Sequence, residues 1–292
     1  MHTGETEASA ADGWERARQL NLANWNERAS VHGQDRYYDM AGFLAGSSSL
    51  RGTERRLCGD VAGRDLLHLQ CHLGLDTLSW ARLGARATGV DFSDVAIGRA
   101  RLLAAQAGID ATFVQADVLD LPADLGDAFD LVVASYGVFT WIGDLDLWAR
   151  SAARALRPTG HLVVVDMHPL AQMIEQRDPL VVDFPYADDG PHRTSSESTY
   201  ANPAAVLRAQ TTVQWAHSLG EIVTALTGAG LRLELLHEHL STDRDDRPGV
   251  FALGDDGRWR LQVWDQDLPV LFSLTATKNC PAEGIRSVQA RG

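Results

Sequence analysis

Residues 66–97, LLHLQCHLGLDTLSWARLGARATGVDFSDVAI, decide the fold. An apolar strand over 66–69 runs into a tight turn that ends at Gly74. A helical stretch follows, then Gly84, then a second strand whose last residue is Asp91. Strand, turn, helix and strand, with an acid at the second strand's tip, form half of a nucleotide-binding α/β unit. The acid stands where a ribose lies across the strand ends. The turn is not the dinucleotide fingerprint, in which glycines let the backbone approach a pyrophosphate. It reads Gln70-Cys71-His72-Leu73-Gly74, with only the last glycine present. A bulky loop crowds out a pyrophosphate yet still admits a nucleoside without phosphates, which points to S-adenosyl-L-methionine rather than NAD.

Outward from this unit, short apolar strands recur at 87–90, 112–115, 131–134 and 162–166, with helical patterns at about 75–83, 94–107 and 145–156. Wholly apolar strands alternating with helices predict a parallel sheet covered on both faces. The end of the chain differs. Ser218 and Glu221 form a capping box, and Ile222, Ala225, Leu226 and Ala229 share one helical face. A strand at 231–237 and a last one at 268–277 have no helix between them, so they should be antiparallel neighbours. The expected fold class is therefore α/β, Rossmann-like. It has a seven-stranded, mostly parallel sheet with its last strand antiparallel, an N-terminal helical segment and an insertion after strand five. Residues 1–13 and 279–292 read as flexible tails and 14–278 as one domain.

The insertion, 170–217, is polar and turn-rich in its middle, DDGPHRTSSESTYANP (188–203), and alternates like a strand at its end, AQTTVQWAH (209–217). Leaving the carboxyl end of a parallel strand, it is expected to be a lid over an acceptor site, built as a β-hairpin.

Composition narrows the classes. The chain has 292 residues, 45% of them apolar, and a net charge of −13. No apolar run reaches the ~18 residues of a membrane span, and the acidic N-terminus lacks a secretory h-region. The acidity argues against nucleic acid as partner and for a small-molecule acceptor. Three scattered cysteines (Cys58, Cys71, Cys280) fit a reducing, cytoplasmic setting without disulfides or zinc. Among 26 basic residues only Lys278 is lysine, a bias that suggests GC-rich, bacterial coding. A homodimer is left open.

Together these stretches resemble the class I S-adenosylmethionine-dependent methyltransferase family, in particular a bacterial small-molecule subgroup. HLQCHLGLDTLSWARLGARATGVDFSDVAI (68–97) resembles its first two motifs, NLANWNERASVHG (21–33) its N-terminal segment, and WAHSLGEIVTALTGAGLRLELLHEH (215–239) with LPVLFSLTAT (268–277) its C-terminal one. The resemblance covers roughly residues 20–278. It implies an enzyme that methylates a small molecule at oxygen or nitrogen; the alternative is a cofactor-binding protein without transfer. It implies that Leu69, Gln70, Cys71, His72 and Gly74 wrap the methionine end and that Asp91 accepts both ribose hydroxyls. Phe92 packs on the adenine, Asp117 accepts from its amino group and Val118 donates to its ring. Ser135 offers a carbonyl to the ammonium, Tyr136 lies by the departing methyl group, and Trp25 and Arg28 close over the cofactor. His68 stands where many relatives carry an acid.

Histidines crowd the carboxyl-end face (His72, His168, His217, His237, His239); for a proton-accepting group the candidates are His168, at the tip of strand five, and then His72, with His217 and His237 lower. No histidine or cysteine pair has helical ligand spacing, so no metal is expected.

Overall fold

The computed structural model describes residues 4–34, 37–188 and 190–279. Cys280 and nearly all of the expected C-terminal tail lie outside the described residues. The expected N-terminal tail is described from Gly4, where helix α1 (Gly4–Val31) begins.

Seven strands form the central sheet: β1 (Asp65–Leu69), β2 (Arg86–Asp91), β3 (Thr112–Gln115), β4 (Phe129–Ser135), β5 (Leu156–Met167), β10 (Leu231–His239) and β14 (Leu271–Lys278). Their spatial order is β10-β14-β5-β4-β1-β2-β3. The first five pair in parallel, and β14 runs antiparallel to both β5 and β10. This is the expected α/β class, with the last strand reversed. Strand order turns around between β1 and β4, so a crevice opens at their carboxyl ends.

The sheet is buried on both faces, which is why its strands are apolar without interruption. Leu67, Leu69, Val132, Ala134, Leu162 and Val164 pack under α6 (Leu145–Ala155) and α8 (Leu219–Gly228). Leu66, Leu131, Val133 and Val163 meet Trp80 and Cys58, from α4 (Leu75–Arg82) and α3 (Gly52–Cys58). Helix α5 (Asp94–Ala107) starts at the Ser93 cap, whose hydroxyl accepts from Ala96 N–H, and stops at Gly108 with φ 64. The Ser218–Glu221 capping box opens α8 as expected.

Two regions differ from the expectation. The span between β10 and β14, read as an Asp- and Gly-rich loop, contains an antiparallel meander: β11 (Ala252–Leu253), β12 (Trp259–Val263) and β13 (Gln266–Leu268). Leu261 is fully buried there, with Trp259 and Val263 packed on the same cluster. Secondly, β5 starts at Leu156, directly after α6 and six residues before its apolar core.

Helix α7 (Pro169–Met173) leads into 170–217, which contains two small ladders. One pairs β6 (Ile174–Gln176) with β7 (Val181–Val182); the other pairs β8 (His192–Ser195) with β9 (Thr211–Gln214). Helix α1 clamps the returning strand with side chains. Asn21 donates to Val213 C=O at 2.8 Å and accepts from Val213 N–H at 2.7 Å. Glu27 accepts from the N–H groups of Arg208 and Ala209. Asn21 thus stands in for a neighbouring strand. Asn21→Leu leaves two buried backbone groups unpaired at about 1–3 kcal/mol each. It should lower stability by about 2–4 kcal/mol in urea unfolding; a loss below about 0.5 kcal/mol would mean that the clamp contributes nothing.

Candidate active site

A cavity of about 890 Å3 opens at the carboxyl ends of β1 and β4, and α1, the β8–β9 ladder and the loop at 244–247 wall it in. Such a volume holds a drug-sized ligand. Backbone strain concentrates here. Eight described non-glycine residues have positive φ, and four of them, Asp39, Gln70, His72 and Tyr136, line the cavity. Left-handed backbone costs a residue with a Cβ roughly 1–2 kcal/mol, and sites that retain it tend to be functional.

The loop after β1 is set by Asp91. This buried carboxylate accepts from His72 N–H at 2.8 Å and Ser93 N–H at 2.9 Å, so it fixes the loop to the start of α5. Each oxygen retains a lone pair for a further donor. Burial pushes the Asp91 carboxyl up to about 6, against the pull of its backbone donors. Gly74 has φ 77, and a Cβ there would lie 2.6 Å from the Phe113 ring and 2.8 Å from Ala100 Cβ. The protein's own packing therefore requires this glycine, whatever the cofactor adds. His68 is buried with Nδ1 at 2.9 Å from the Thr77 hydroxyl and Nε2 at 3.4 Å from that of Ser135. Burial lowers its pKa, so it is a neutral hydrogen-bonding group without the charge of an acid.

Above this loop stands an aromatic cluster. The rings of Trp25 and His72 lie 5.3 Å apart, those of Trp25 and Trp141 5.2 Å, and His72 Nε2 meets His32 Nδ1 at 2.9 Å. Burial holds both histidines neutral, with His32 down to about 3. The Arg28 guanidinium lies among the faces of Trp25, Trp141 and Tyr200 at 5.1–5.9 Å. It lines the cavity, is only 8% exposed, and has no hydrogen bond or anionic partner among the described residues; its Nε is an orphan donor.

At the other end of the cavity Tyr136 is an expected residue, but its charged surroundings are not read from the sequence. Arg51 grips Asp246 through both terminal nitrogens at 2.6 and 2.7 Å. Tyr37 and Arg244 donate to the same carboxylate, and Tyr136 donates to Glu54. Asp166, at the end of β5, accepts from the N–H groups of Gly137, Val138 and Phe139 and so sets the turn that carries Tyr136.

Of the residues expected at the site, Trp25, Arg28, Gln70, Cys71, His72, Gly74, Asp91, Phe92, Ser135 and Tyr136 line this one cavity. Leu69 and Val118 are in the core beneath it. Asp117 is off the cavity; its carboxylate accepts from Arg18 Nε at 2.6 Å and Leu119 N–H at 3.0 Å. His168, the first candidate base, is also off it. Its Nδ1 caps α7 by accepting from Leu170 N–H, and its Nε2 sits 2.8 Å from Glu238, so both ring nitrogens are occupied. His217 bonds the Ile142 carbonyl and His239 the Ser273 hydroxyl. Among the described residues no three metal-binding side chains come together, and no described helix is long and apolar enough to cross a membrane.

This sheet order, with its last strand reversed and a crevice between β1 and β4, defines a doubly wound α/β protein. Residues 66–160 match the family described as "Methyltransferase domain". Over 117 residues the chain is 31% identical to a ubiquinone biosynthesis O-methyltransferase of Mesorhizobium japonicum, a match covering 40% of this chain and 46% of the relative. Over 107 residues it is 36% identical to an uncharacterized methyltransferase of Synechocystis sp., covering 36% and 48%. The chain thus spans about half the length of these relatives. The solved S-adenosylmethionine-dependent methyltransferase from Mesorhizobium loti shares the fold at a TM-score of 0.55 and 22% identity, over 80% of this chain and all of that one. Residues 66–160 are thus similar to a methyltransferase domain, and the fold is the Rossmann-like one of solved S-adenosylmethionine-dependent methyltransferases.

Proposed function

We propose that this protein transfers the methyl group of S-adenosyl-L-methionine to a hydroxyl of a small-molecule acceptor. The observation that carries the reading is the uncompensated guanidinium of Arg28, facing one cavity with the buried carboxylate of Asp91. An amino-acid carboxylate suits the first and a ribose cis-diol the second. The chemistry that the cofactor supplies when bound is a sulfonium methyl with a good leaving group. The chain's residues then have to orient the acceptor, exclude water and take up a proton. Hydroxyl transfer is favoured by the O-methyltransferase name of the Mesorhizobium japonicum relative. A binding protein without transfer would have no use for the second, aromatic and charged, half of the cavity. Calorimetry with S-adenosylmethionine, S-adenosylhomocysteine and NAD tests the reading: tight NAD binding with no response to the two sulfur ligands would overturn it.

In this reading segment 170–217 is the lid of the acceptor half. Thr194, Ser196 and Ser198 line the cavity, whereas Asp91 and Phe92 lie at its other end, on β2 and its exit. Replacing residues 176–198 with a short Gly/Ser linker removes those hydroxyls and leaves Arg28, Asp91 and Tyr200 in place. Affinity for S-adenosylhomocysteine should stay within about three-fold while turnover falls by about 100-fold or more. Full turnover in the replaced chain would refute the lid.

A further inference from the structure

Tyr136, in the acceptor half of the cavity, is backed by a buried ionisable group, Glu54, that cofactor binding does not use. Tyr136 follows β4 with φ 57 and lines the cavity. Its hydroxyl donates to Glu54 Oε2 at 2.6 Å. Glu54, on α3, lies behind it, outside the lining and 1% exposed; its Oε1 accepts from the Arg51 N–H. Among the described residues no cation pairs with Glu54. The Arg51 guanidinium is committed to Asp246 and lies over the Tyr136 ring, 3.8 Å from its centroid.

A buried carboxyl without a cation is costly, and a packed apolar side chain would serve stability better. A tyrosine with left-handed backbone beside it, lining the cavity, adds to that cost. Resting on the methyl-transfer reading, we propose that Tyr136 and Glu54 form a proton relay for a hydroxyl acceptor. Tyr136 is the catalytic residue that meets the acceptor, and Glu54 acts through it. The acceptor's O–H proton passes to Tyr136 Oη as the tyrosine's own proton passes to Glu54 Oε2. The O–H electron pair stays on the acceptor oxygen and forms the bond to the methyl carbon, while the donor's sulfur retains the pair of the bond it loses. The Arg51 charge over the ring stabilises negative charge in transit through the phenol.

The electrostatics of the pair fit this geometry. Burial pushes Glu54 up to about 7, and Asp76 of α4 adds to the push. Burial and Glu54 also raise the Tyr136 phenol, with Asp243 raising it further and Arg51 opposing. The other group beside Glu54 is the Cys58 thiol, itself driven up by burial. Glu54 is therefore ionised above neutrality and able to accept a proton, the match that a general base needs. Turnover of a protonated acceptor should rise as pH rises through about 7.

The test compares wild type, Glu54→Gln and Tyr136→Phe with S-adenosylmethionine and two probe acceptors. Phenol holds its proton in mildly alkaline buffer and 4-nitrophenol has largely lost it. Each variant should lose about 100- to 1000-fold in kcat on phenol with little change in KM, and at least about ten-fold less on 4-nitrophenol. The pH limb near 7 should vanish in Glu54→Gln, and an infrared carboxylic-acid band titrating there in wild type should be missing from that variant. Equal losses on both phenols, a limb or band that survives Glu54→Gln, or binding of S-adenosylhomocysteine without methylation of either phenol would each overturn the relay. Failure of wild type to bind S-adenosylhomocysteine would instead overturn the methyltransferase reading. Should Glu54→Gln not fold, Tyr136→Phe carries the same comparison.

Discussion

Arg28→Met should weaken S-adenosylhomocysteine binding by about 10- to 100-fold without lowering the melting temperature of the ligand-free protein. The two halves of this result share one cause. The guanidinium is buried among Trp25, Trp141 and Tyr200, and burial lowers its pKa, yet no anion offsets its charge. Taking an ion out of water without a partner costs several kcal/mol, so the apoprotein gains or holds stability when the charge goes. A bound carboxylate would supply the missing partner through charge-assisted bonds, each contributing about 1.5–3 kcal/mol. Arg28→Lys should restore only part of the affinity, because a point charge lacks the planar fork and its stacking on the rings. Methylthioadenosine, which lacks the amino-acid end, separates the explanations. Its weaker affinity should be the same in wild type and Arg28→Met. If Arg28→Met binds S-adenosylhomocysteine like wild type and melts lower, Arg28 is a packing strut and the carboxylate assignment fails.

The sheet could be read from the sequence because strands buried on both faces are short and wholly apolar, and because Asp91 ends one of them. The meander carries a period-two signal, Trp259, Leu261 and Val263, but Asp255, Asp256 and Gly257 before it and Asp265 after it read as loop. His168 was placed correctly at a strand tip; its direction was not legible, since the cap on Leu170 and the contact with Glu238 arise only in the folded chain. The partners gathered around Tyr136, namely Arg51, Glu54 and Asp246, are the hardest case. Tyr136 and Glu54 are 82 positions apart, Arg51 and Asp246 195. Each is unremarkable in its own segment: a residue flanking a serine loop, an acid on a helix without clear period, charges in the mixed run DRDDR (243–247) that looks solvated. Only the sheet topology assembles them.

The two acids that the family resemblance assigned to the nucleoside should behave very differently. Asp91→Ala should reduce cofactor affinity by more than about 100-fold, and Asp117→Ala by less than about ten-fold. Asp91 faces the cavity, and two charge-assisted bonds from a cis-diol would be worth about 1.5–3 kcal/mol each. Its loss also frees the N–H groups of His72 and Ser93 and loosens the loop that lines the methionine end. Asp117 points elsewhere, and its removal mainly releases Arg18, a partly exposed pair of small energetic value. The pH dependence has a definite sign. With Asp91 raised to about 6 in the ligand-free chain, the diol finds an ionised acceptor at pH 7.5 and mostly a protonated one below 6. Affinity should therefore fall with acidification through that value, by about ten-fold one unit below it. Stability runs the other way. A carboxyl whose folded pKa is raised contributes most below its unfolded value and loses that contribution as pH rises through about 6, so the empty site is under most strain where it binds best. Calorimetric titrations at pH 5, 6 and 7.5 on both variants and wild type check this. Asp91→Ala binding within a few-fold of wild type, or a wild-type affinity indifferent to pH across that range, would remove Asp91 from the ribose.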